Sequence, residues 1–576
     1  MNVHKLLIAA LLATSLISCK NGGTNESSAI HIRLKKDPER INPLLFPNPT
    51  AREVYQYLHL PLADFDPNTL ELVPLLIKEL PQPMPIDTGK YKGGVAYDLE
   101  MHERATWDNG SPITAADYIF TLKSIMHPLT GAGKYREIAS QISDVIPDPQ
   151  NERKFRVIFD QPYILALEAA VNIEIYPGYF YDSLQLLKSY SLPGLVSLTE
   201  EQVLSDSNLV IFARNFNAND FSRTRFSGAG PYRLVSWNAD QDIILERKED
   251  YWAKGFTQAA LQQGPGTMIF HIIPDELTAV AQLKAGGIDV INEISAENYQ
   301  SLQSEAGTRD RFGFFHPSLT KHYMITLNNR DIRLSDVKVR RALAHLVDVQ
   351  NMINNIENGM GTPSVGPVHP MKKAFNKDLS PIAFDVNNAK KLLAEAGWRD
   401  SDQDGILDKV IAGKKTDLTL EILISGQELG KRLSVMLQEN AAKAGVGITI
   451  TEKDFKQIRA EHLKTRNYQL VPSVLSQDIV KWDDLSKWHS KNDTPEGSNE
   501  MSYHNPNTDA LIDQIEATAG EADRIRLYRN IQSLIYEDQP AIFLYAPEEK
   551  IVVSNRWKAT ATSKRPGYMA NTFSLQ

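Results

Sequence analysis

The chain has 576 residues, too many for one compact core, and at about 150 residues per domain it is expected to form several domains or lobes. Hydrophobic residues make up 42% and charged residues 23%, which is typical of globular proteins and unlike disordered or fibrous chains. The formal net charge is −9, so no excess of basic residues exists to neutralise a phosphate backbone. We therefore predict no nucleic-acid partner.

The N-terminus has the pattern of an export signal. Lys5 precedes an apolar run over 6–13, which is shorter than the about 20 residues of a transmembrane helix. The sequence Leu16-Ile17-Ser18-Cys19 resembles the lipobox of bacterial lipoproteins, in which the cysteine is lipidated and becomes the first residue. We predict a signal peptide over 1–18, a lipid on Cys19 and a flexible tether over 19–28. The alternative is an ordinary signal peptide with an incidental cysteine.

Beyond the tether, apolar periodicity predicts strands that alternate with helices. Thr114 is expected to cap one helix, with Asp117 at its third position, and Ser335 to cap another. In chain order, the main elements are a strand over 30–34, a helix over 50–60, a strand over 97–101, a helix over 115–123, strands over 155–159, 233–237, 243–247 and 268–273, a helix over 276–285, a strand over 323–328, helices over 337–347 and 389–396, a strand over 418–424, a helix over 431–444, a strand over 448–450, helices over 508–518 and 524–536, and a strand over 541–544. This alternation predicts α/β layers.

Two motifs could carry chemistry, and both have a plainer interpretation. Ser335 and Lys338 match the Ser-x-x-Lys pair of serine acylases, but the companion motifs are missing, so a helix cap and a solvated lysine are favoured. The stretch over 400–405 has the acids of a calcium loop, with Asp408 at the ninth position, but Ile411 stands where a bidentate Glu is needed. An Asp-Gly hairpin turn is favoured there. We predict no metal, no cofactor and no catalytic residues.

A series of turn motifs runs in order along nearly the whole mature chain. The segments are Ile41-Asn42-Pro43-Leu44; 107–117, which begins Trp107-Asp108-Asn109-Gly110; Gly228-Ala229-Gly230-Pro231-Tyr232 with Asp250-Tyr251-Trp252; Gly287-Ile288-Asp289; Leu327-Asn328-Asn329; 336–343; 392–398; Tyr503-His504-Asn505-Pro506; and Asp538-Gln539-Pro540. Together they resemble the family 5 extracellular solute-binding proteins, the peptide-binding components of bacterial ABC importers.

The resemblance implies a two-lobed α/β fold of the periplasmic-binding-protein type II, with an extra α/β domain, that closes on a hinge. By analogy, residues 29–52, 222–315 and 535–576 would form lobe I, 53–221 the extra domain, and 316–534 lobe II. Strands near 312–315 and 541–544 would cross between the lobes.

The same resemblance implies a monomeric, non-enzymatic receptor that captures peptides in the interlobe cleft and delivers them to the permease subunits of an ABC importer. The protein would be periplasmic and held by its lipid on the inner or the outer membrane; Lys20, which follows Cys19, is not the Asp associated with inner-membrane retention. Two alternatives stay open: the same scaffold binding a nickel chelate, haem or an oligosaccharide, and a surface hydrolase.

Three residues are candidates for peptide binding. The family stretch that supplies a carboxylate for the ligand's α-ammonium falls on 468–479 and places that role on Asp478, with a turn cap as the alternative. Leu475 and Ile479 depart from the aromatic residues usual there. Tyr323 and Trp482 could line side-chain pockets, or could belong to the core.

Overall fold

The computed structural model describes residues 28–45, 48–477, 479–518 and 520–576. The predicted signal peptide, Cys19 and Asp478 lie outside the described residues. Three β-sheets with more than two strands organise the described chain, and a layer of helices packs on each.

The first sheet has seven strands and contains both the first and one of the last strands of the described chain. Its central strand, Ala29–Leu34, runs parallel to both of its neighbours, and the other neighbouring pairs are antiparallel. Helices from three parts of the chain pack their apolar residues against it. The strand order is Phe312–Phe315, Ile551–Ser554, Val290–Ile291, Ala29–Leu34, Thr267–Ile272, Asp242–Arg247 and Tyr232–Asn238, and the helices are Pro49–Tyr55, Glu276–Ala285 and Ala296–Ser304. The short polar helix Thr308–Arg311 directly precedes the first of these strands.

The second sheet is a four-stranded antiparallel sheet in the middle of the segment predicted as the extra domain. Tyr97 and Leu99 are buried and Asp98 is exposed, as the alternating pattern predicts. The strand order is Met84–Pro85, Val95–Glu100, Lys154–Phe159 and Asp144–Pro147, with a hairpin of Ala63–Phe65 and Leu72–Pro74 beside it. Its helices are Ala115–Met126, Gly133–Ala139, Ala166–Val171, Gly178–Tyr181, Leu192–Val196, Glu200–Ser205, Ser207–Phe216 and Asp220–Arg223.

The third sheet has five strands and is covered on both faces. Ile325 and Leu327 pack with one group of helices, and Met324 packs on the opposite face with another. The strand order is Gly447–Glu452, Thr419–Ile424, Leu470–Ser476, Lys321–Leu327 and Ala541–Phe543. The helices are Val337–His345, Val349–Ile356, Val386–Glu395 and Glu428–Lys443 on the first face, and Pro506–Ala517 and Glu521–Asp538 on the second.

The chain crosses between the seven-stranded and five-stranded sheets twice, through 316–320 and 544–550. These two connections run side by side: the Leu319 amide donates to the Pro547 carbonyl at 3.0 Å, and the Glu549 amide donates to the Pro317 carbonyl at 2.8 Å. Ser318 and Glu548 form an antiparallel bridge between them. The two large sheets are therefore joined by a short two-stranded strap. The strands Phe312–Phe315 and Ala541–Phe543, which the sequence predicts to cross between the lobes, each lie within one sheet, and the crossings follow directly after them. The residue boundaries of the lobes stay predictions.

Some element bounds differ from the sequence prediction. The helix predicted over 50–60 ends at Tyr55, because the backbone carbonyls of Tyr57 and Leu58 instead accept hydrogen bonds from Tyr232 and Gly230. The helix predicted over 337–347 begins at Val337 and is capped by Asp336 rather than by Ser335, since the Asp336 carboxylate accepts the Lys338 amide at 2.8 Å. Among the described residues, none of the helices combines the length and the apolar content needed to cross a bilayer.

Candidate ligand-binding site between the two large sheets

Tyr323 lies on the strand of the five-stranded sheet that leaves the strap. It pairs with Val474 across the sheet, and its half-buried ring packs edge-on against Tyr545 at 5.2 Å between ring centroids. Lys321 projects from the same face two residues earlier, with its ammonium 5.5 Å from the centroid of the Tyr323 ring. Tyr323 therefore stands at the junction of the two sheets, beside an amine that the sequence analysis did not single out.

A buried ion pair connects the two large sheets near Tyr323. Glu357, which follows the helix Val349–Ile356, pairs with Lys550, which precedes the strand Ile551–Ser554. Both side chains are at most 10% exposed, and the Tyr545 hydroxyl donates to the other Glu357 oxygen at 3.0 Å. A buried pair of this kind holds its partners in one geometry, because separating them leaves an uncompensated charge.

Three further carboxyl groups lie on the seven-stranded side of this junction. Arg565 pairs with Glu293 at 3.0 Å. The Glu53 carboxyl accepts a hydrogen bond from the Asn292 amide at 3.0 Å and one from the Tyr568 hydroxyl at 3.3 Å. Glu549 accepts the backbone amides of Glu293, at 3.2 Å, and Lys550, at 3.1 Å.

Burial decides the charge state of these groups. It raises the pKa of Glu53 to about 8, and the nearby charge of Glu293 adds to this effect. Burial and Glu293 likewise raise the pKa of Glu549. Burial lowers the pKa of Lys321, and the Arg565 charge acts in the same direction. The junction thus holds Glu53 mainly in its neutral form near pH 7.

Trp482 lies in the apolar cluster on the face of the five-stranded sheet opposite Tyr323. It is 6% exposed, its ring is 5.4 Å from that of Tyr528, and the Arg524 guanidinium lies 4.9 Å from its centroid. Ile164 and Leu165, from the segment predicted as the extra domain, pack against the same cluster. Trp482 is therefore mainly a core residue, and contact with a peptide stays a prediction for it.

The contact between the segment of Ile164 and Leu165 and the cluster around Trp482 also brings charged side chains near one another. Burial raises the pKa of Glu168, and the positive charges of Lys481 and Arg524 oppose that rise. Glu168 belongs to the helix Ala166–Val171, whereas Lys481 and Arg524 lie near the five-stranded sheet. The segment 164–168 thus meets the five-stranded unit through both apolar and charged side chains.

The residues that flank Asp478 fix the end of its strand. Ser476 pairs with Lys321 across the sheet. The Gln477 amide donates to the Thr320 carbonyl at 2.8 Å, and its side chain donates to the Pro367 carbonyl at 2.6 Å. The strand Leu470–Ser476 therefore ends beside Lys321 and the strap. Asp478 itself lies outside the described residues, so its role stays a prediction.

Two buried histidines lie behind this strand end. His322 Nδ1 lies 2.7 Å from the Ser364 hydroxyl, and the His322 and His369 rings are 5.4 Å apart. Burial lowers the pKa of His322 to about 3 and that of His369 to about 4, so both rings are neutral near pH 7. His322 projects from the face opposite Tyr323, and neither ring adds charge to the strand end.

In the calcium-like loop, acidic side chains pair with other side chains of the protein. Carboxylate oxygens of Asp400, Asp402 and Asp408 lie within 4.8 Å of one another, the one such group of three among the described residues. Lys415 pairs with Asp402 and lies 3.6 Å from Asp408, and the Ser401 hydroxyl donates to Asp408 at 2.7 Å. The loop is closed by an Arg399–Asp408 bridge, whereas the hairpin turns at Ala412-Gly413; the predicted Asp-Gly hairpin turn is therefore wrong.

The Ser335–Lys338 pair is not arranged as a nucleophile and its base. The Ser335 hydroxyl donates to the Ile332 carbonyl at 3.4 Å, and the Lys338 ammonium lies 3.3 Å from Glu395 on the surface. These contacts favour the interpretation of Lys338 as a solvated surface residue.

Sequence reasoning missed Lys321, Glu357, Glu549 and Arg565. A weak signal existed only for Lys321, which shares the inward-facing register of Tyr323 on one predicted strand. The other three come from separate parts of the chain, and only the fold brings them together.

The comparisons with known proteins agree on a family of solute-binding proteins. The family described as "Bacterial extracellular solute-binding proteins, family 5 Middle" matches residues 74–495. The oligopeptide-binding protein AppA of Bacillus subtilis is 26% identical over 468 residues, which cover 80% of this chain and 77% of AppA.

Solved structures share the fold. The structure of Bacillus subtilis AppA in complex with a nonapeptide matches with a TM-score of 0.69 and 22% identity, over 95% of this chain and 99% of that one. NikZ from Campylobacter jejuni in complex with Ni(L-His) matches with a TM-score of 0.69 and 20% identity, over 95% and 99%. Both likenesses show the two-lobed solute-binding fold that the sequence predicts.

Proposed function

We propose, because the chain belongs to family 5 of the bacterial extracellular solute-binding proteins, that it captures peptides between its two large sheets and delivers them intact to an ABC-type importer. The observation that carries the proposal is the two-stranded strap between the sheets, with Tyr323 and Lys321 beside it. A strap of two short connections lets two rigid units rotate while each keeps its own core.

Closure supplies the signal for transport in this proposal. A ligand that contacts both units binds the closed arrangement more tightly than the open one, and that difference in affinity shifts the population. We assign the buried Glu357–Lys550 pair and the packing of Ile164 and Leu165 near Trp482 to the closed arrangement. Permease subunits would then recognise the closed shape.

The anchor and location follow from the N-terminal pattern. We infer that Cys19 carries the lipid and that residues 20–28 tether the binding unit to the inner or outer membrane, facing the periplasm. Mass spectrometry of the membrane-extracted protein tests this inference: a diacylglyceryl mass on Cys19 is expected, and a free thiol at that position would contradict it.

Asp478 is proposed as the partner of the ligand's α-ammonium. A desolvated carboxylate pairs best with a cationic ligand group, and losing the charge leaves that cation without its partner. We expect Asp478→Asn to weaken peptide binding by about 2–5 kcal/mol, measured by calorimetry. Asp523→Ala, which removes an exposed surface carboxylate, is the control and should leave the affinity unchanged. Equal affinity for Asp478→Asn and wild type would remove Asp478 from the site.

The ligand class is tested on the protein purified without refolding. Native mass spectrometry is expected to release short peptides, and thermal unfolding is expected to shift upward with a peptide mixture. Nickel–histidine, haem and an oligosaccharide form the comparison panel, because NikZ in complex with Ni(L-His) shares this fold. Stabilisation by one of these solutes and by no peptide would contradict the proposal.

A further inference from the structure

We propose that Lys321, together with the Tyr323 hydroxyl, forms a subsite for a carboxylate of the bound ligand. The inference deepens the proposed function and rests on it. Among peptides, it predicts a preference for those that carry an anionic group close to the strap.

Lys321 lies at the junction of the two large sheets and belongs to the five-stranded sheet. It is the first residue of the strand Lys321–Leu327, pairs with Ser476, and directly follows the first connection of the strap. Its side chain is half-buried, and its neighbours include charged groups from both units, namely Glu293, Glu357, Glu549 and Arg565. A ligand held between the sheets would therefore meet this amine.

The Lys321 ammonium makes no hydrogen bond or ion pair with the part of the chain that the structure describes, and it lies 5.5 Å from the centroid of the Tyr323 ring. The Tyr323 hydroxyl likewise makes no hydrogen bond within that part. Two donors on one strand face, two residues apart, are thus left without an acceptor. Neither donor atom is among the fully buried ones, so water can pair with both until a ligand group replaces it.

The surrounding carboxyl groups are already matched. Glu293 pairs with Arg565, and Glu357 pairs with Lys550. Glu53 is held mainly neutral, and Glu549 accepts two backbone amides while burial favours its neutral form. Among the described residues of this junction, Lys321 is therefore the cation without an ion-pair partner, and its positive charge would attract the carboxylate of a ligand.

A carboxylate fits both donors. An ammonium and a phenol hydroxyl can each donate to one of its oxygens, and a hydrogen bond to a charged group is stronger than one between neutral groups. The carboxylate could belong to the C-terminus of a short peptide or to an acidic side chain. Both sources supply the same chemical group, and binding measurements with different peptides distinguish them.

The test uses four tripeptides that vary one negative charge at a time. Ala-Ala-Ala with a free C-terminus is compared with its C-terminal amide, and amidated Ala-Glu-Ala is compared with amidated Ala-Gln-Ala. We expect wild type to bind the charged member of at least one pair about tenfold to a hundredfold more tightly, measured by calorimetry. The pair that shows the difference identifies the source of the carboxylate.

Variants assign the preference to Lys321. Lys321→Met should abolish it while uncharged peptides still bind, and Lys321→Arg should restore most of it, which also shows that position 321 tolerates substitution. Tyr323→Phe should reduce it by a smaller factor of about three. Lys390→Met, which changes an exposed lysine on the helix Val386–Glu395, is the matched control and should keep the preference.

Two results would overturn the inference. One is equal wild-type affinity within both pairs, and the other is a preference that survives Lys321→Met. Both leave peptide binding intact, so they separate this inference from the proposed function. Failure of wild type to bind any peptide would overturn the proposed function and this inference with it.

Discussion

At the scale of single residues, the charge state of the junction depends on burial. Glu53 is 6% exposed and bonded to Asn292 and Tyr568, and its pKa is raised to about 8 from an ordinary value of 4.5. Between these two values the folded protein holds a proton that the unfolded chain has released. Stability should therefore fall as pH rises from about 5 to 8, by up to about 1.4 kcal/mol per pH unit from this group.

Glu53→Gln tests this pH dependence. The amide keeps a hydrogen-bonding group of similar size and cannot ionise, so the unfolding temperature of the variant relative to wild type should rise steadily from pH 5 to pH 8. Glu439→Gln changes an exposed carboxyl on the helix Glu428–Lys443 and should track wild type throughout. Parallel profiles for Glu53→Gln and wild type would show that Glu53 does not titrate in this range.

The sequence identifies some of the site residues and misses others for a physical reason. Tyr323 could be selected because an aromatic residue in a strand pattern stands out within one short segment. Glu357 and Lys550 could not, because nothing local to either one indicates that folding will place them in a buried ion pair 193 residues apart along the chain. Pair partners at such separations are set by the packing of whole units.

At the scale of elements, two glycines shape the joint between the helix Pro49–Tyr55 and the seven-stranded sheet. The Gly230 amide donates to the Leu58 carbonyl at 3.0 Å, and a Cβ on Gly230 would lie 2.4 Å from the Tyr57 carbonyl oxygen. A Cβ on Gly228 would lie 2.2 Å from the Leu58 carbonyl oxygen. This close approach explains why glycine occupies both positions of the Gly228-Ala229-Gly230 motif.

Gly230→Ala should destabilise the protein because the clash is with backbone atoms that cannot rotate away. We expect a loss of about 2–4 kcal/mol, measured by urea unfolding. Gly430→Ala is the matched control: its Cβ would meet open space within the helix Glu428–Lys443, so a gain of up to about 1 kcal/mol is expected. Equal stability of Gly230→Ala and wild type would contradict the close-approach account.

The sequence predicts most elements but misplaces ends that tertiary contacts decide. The helix Ala115–Met126 begins after Thr114 as predicted, and Asp117 accepts the Thr114 amide at 3.0 Å. The prediction of a helix to residue 60 fails, because the carbonyls of Tyr57 and Leu58 pair with a segment more than 170 residues away. Helical spacing cannot compete with hydrogen bonds that only the fold provides.

At the scale of the whole molecule, three sheets and two connections define what can move. The strap of 316–320 and 544–550 joins the two large sheets, and the segment 164–168 contacts the five-stranded unit from the other side. The order of motifs along the chain is enough to predict the two-lobed fold. The contact of Ile164 and Leu165 near Trp482 is not predictable from sequence, because these segments are far apart along the chain and only the fold brings them together.

The most direct test of peptide capture by closure is the distance between the two large units with and without ligand. Fluorescent labels on Leu277→Cys and Val435→Cys, both exposed, would mark the two units in the chain from Lys20 onward, which contains no native cysteine. Val435→Cys with Ile332→Cys, two exposed positions of the five-stranded unit, is the control pair and should not change. Saturating peptide is predicted to shift the label distance of the first pair to one shorter, narrower population; an unchanged distance with peptide demonstrably bound would contradict the account.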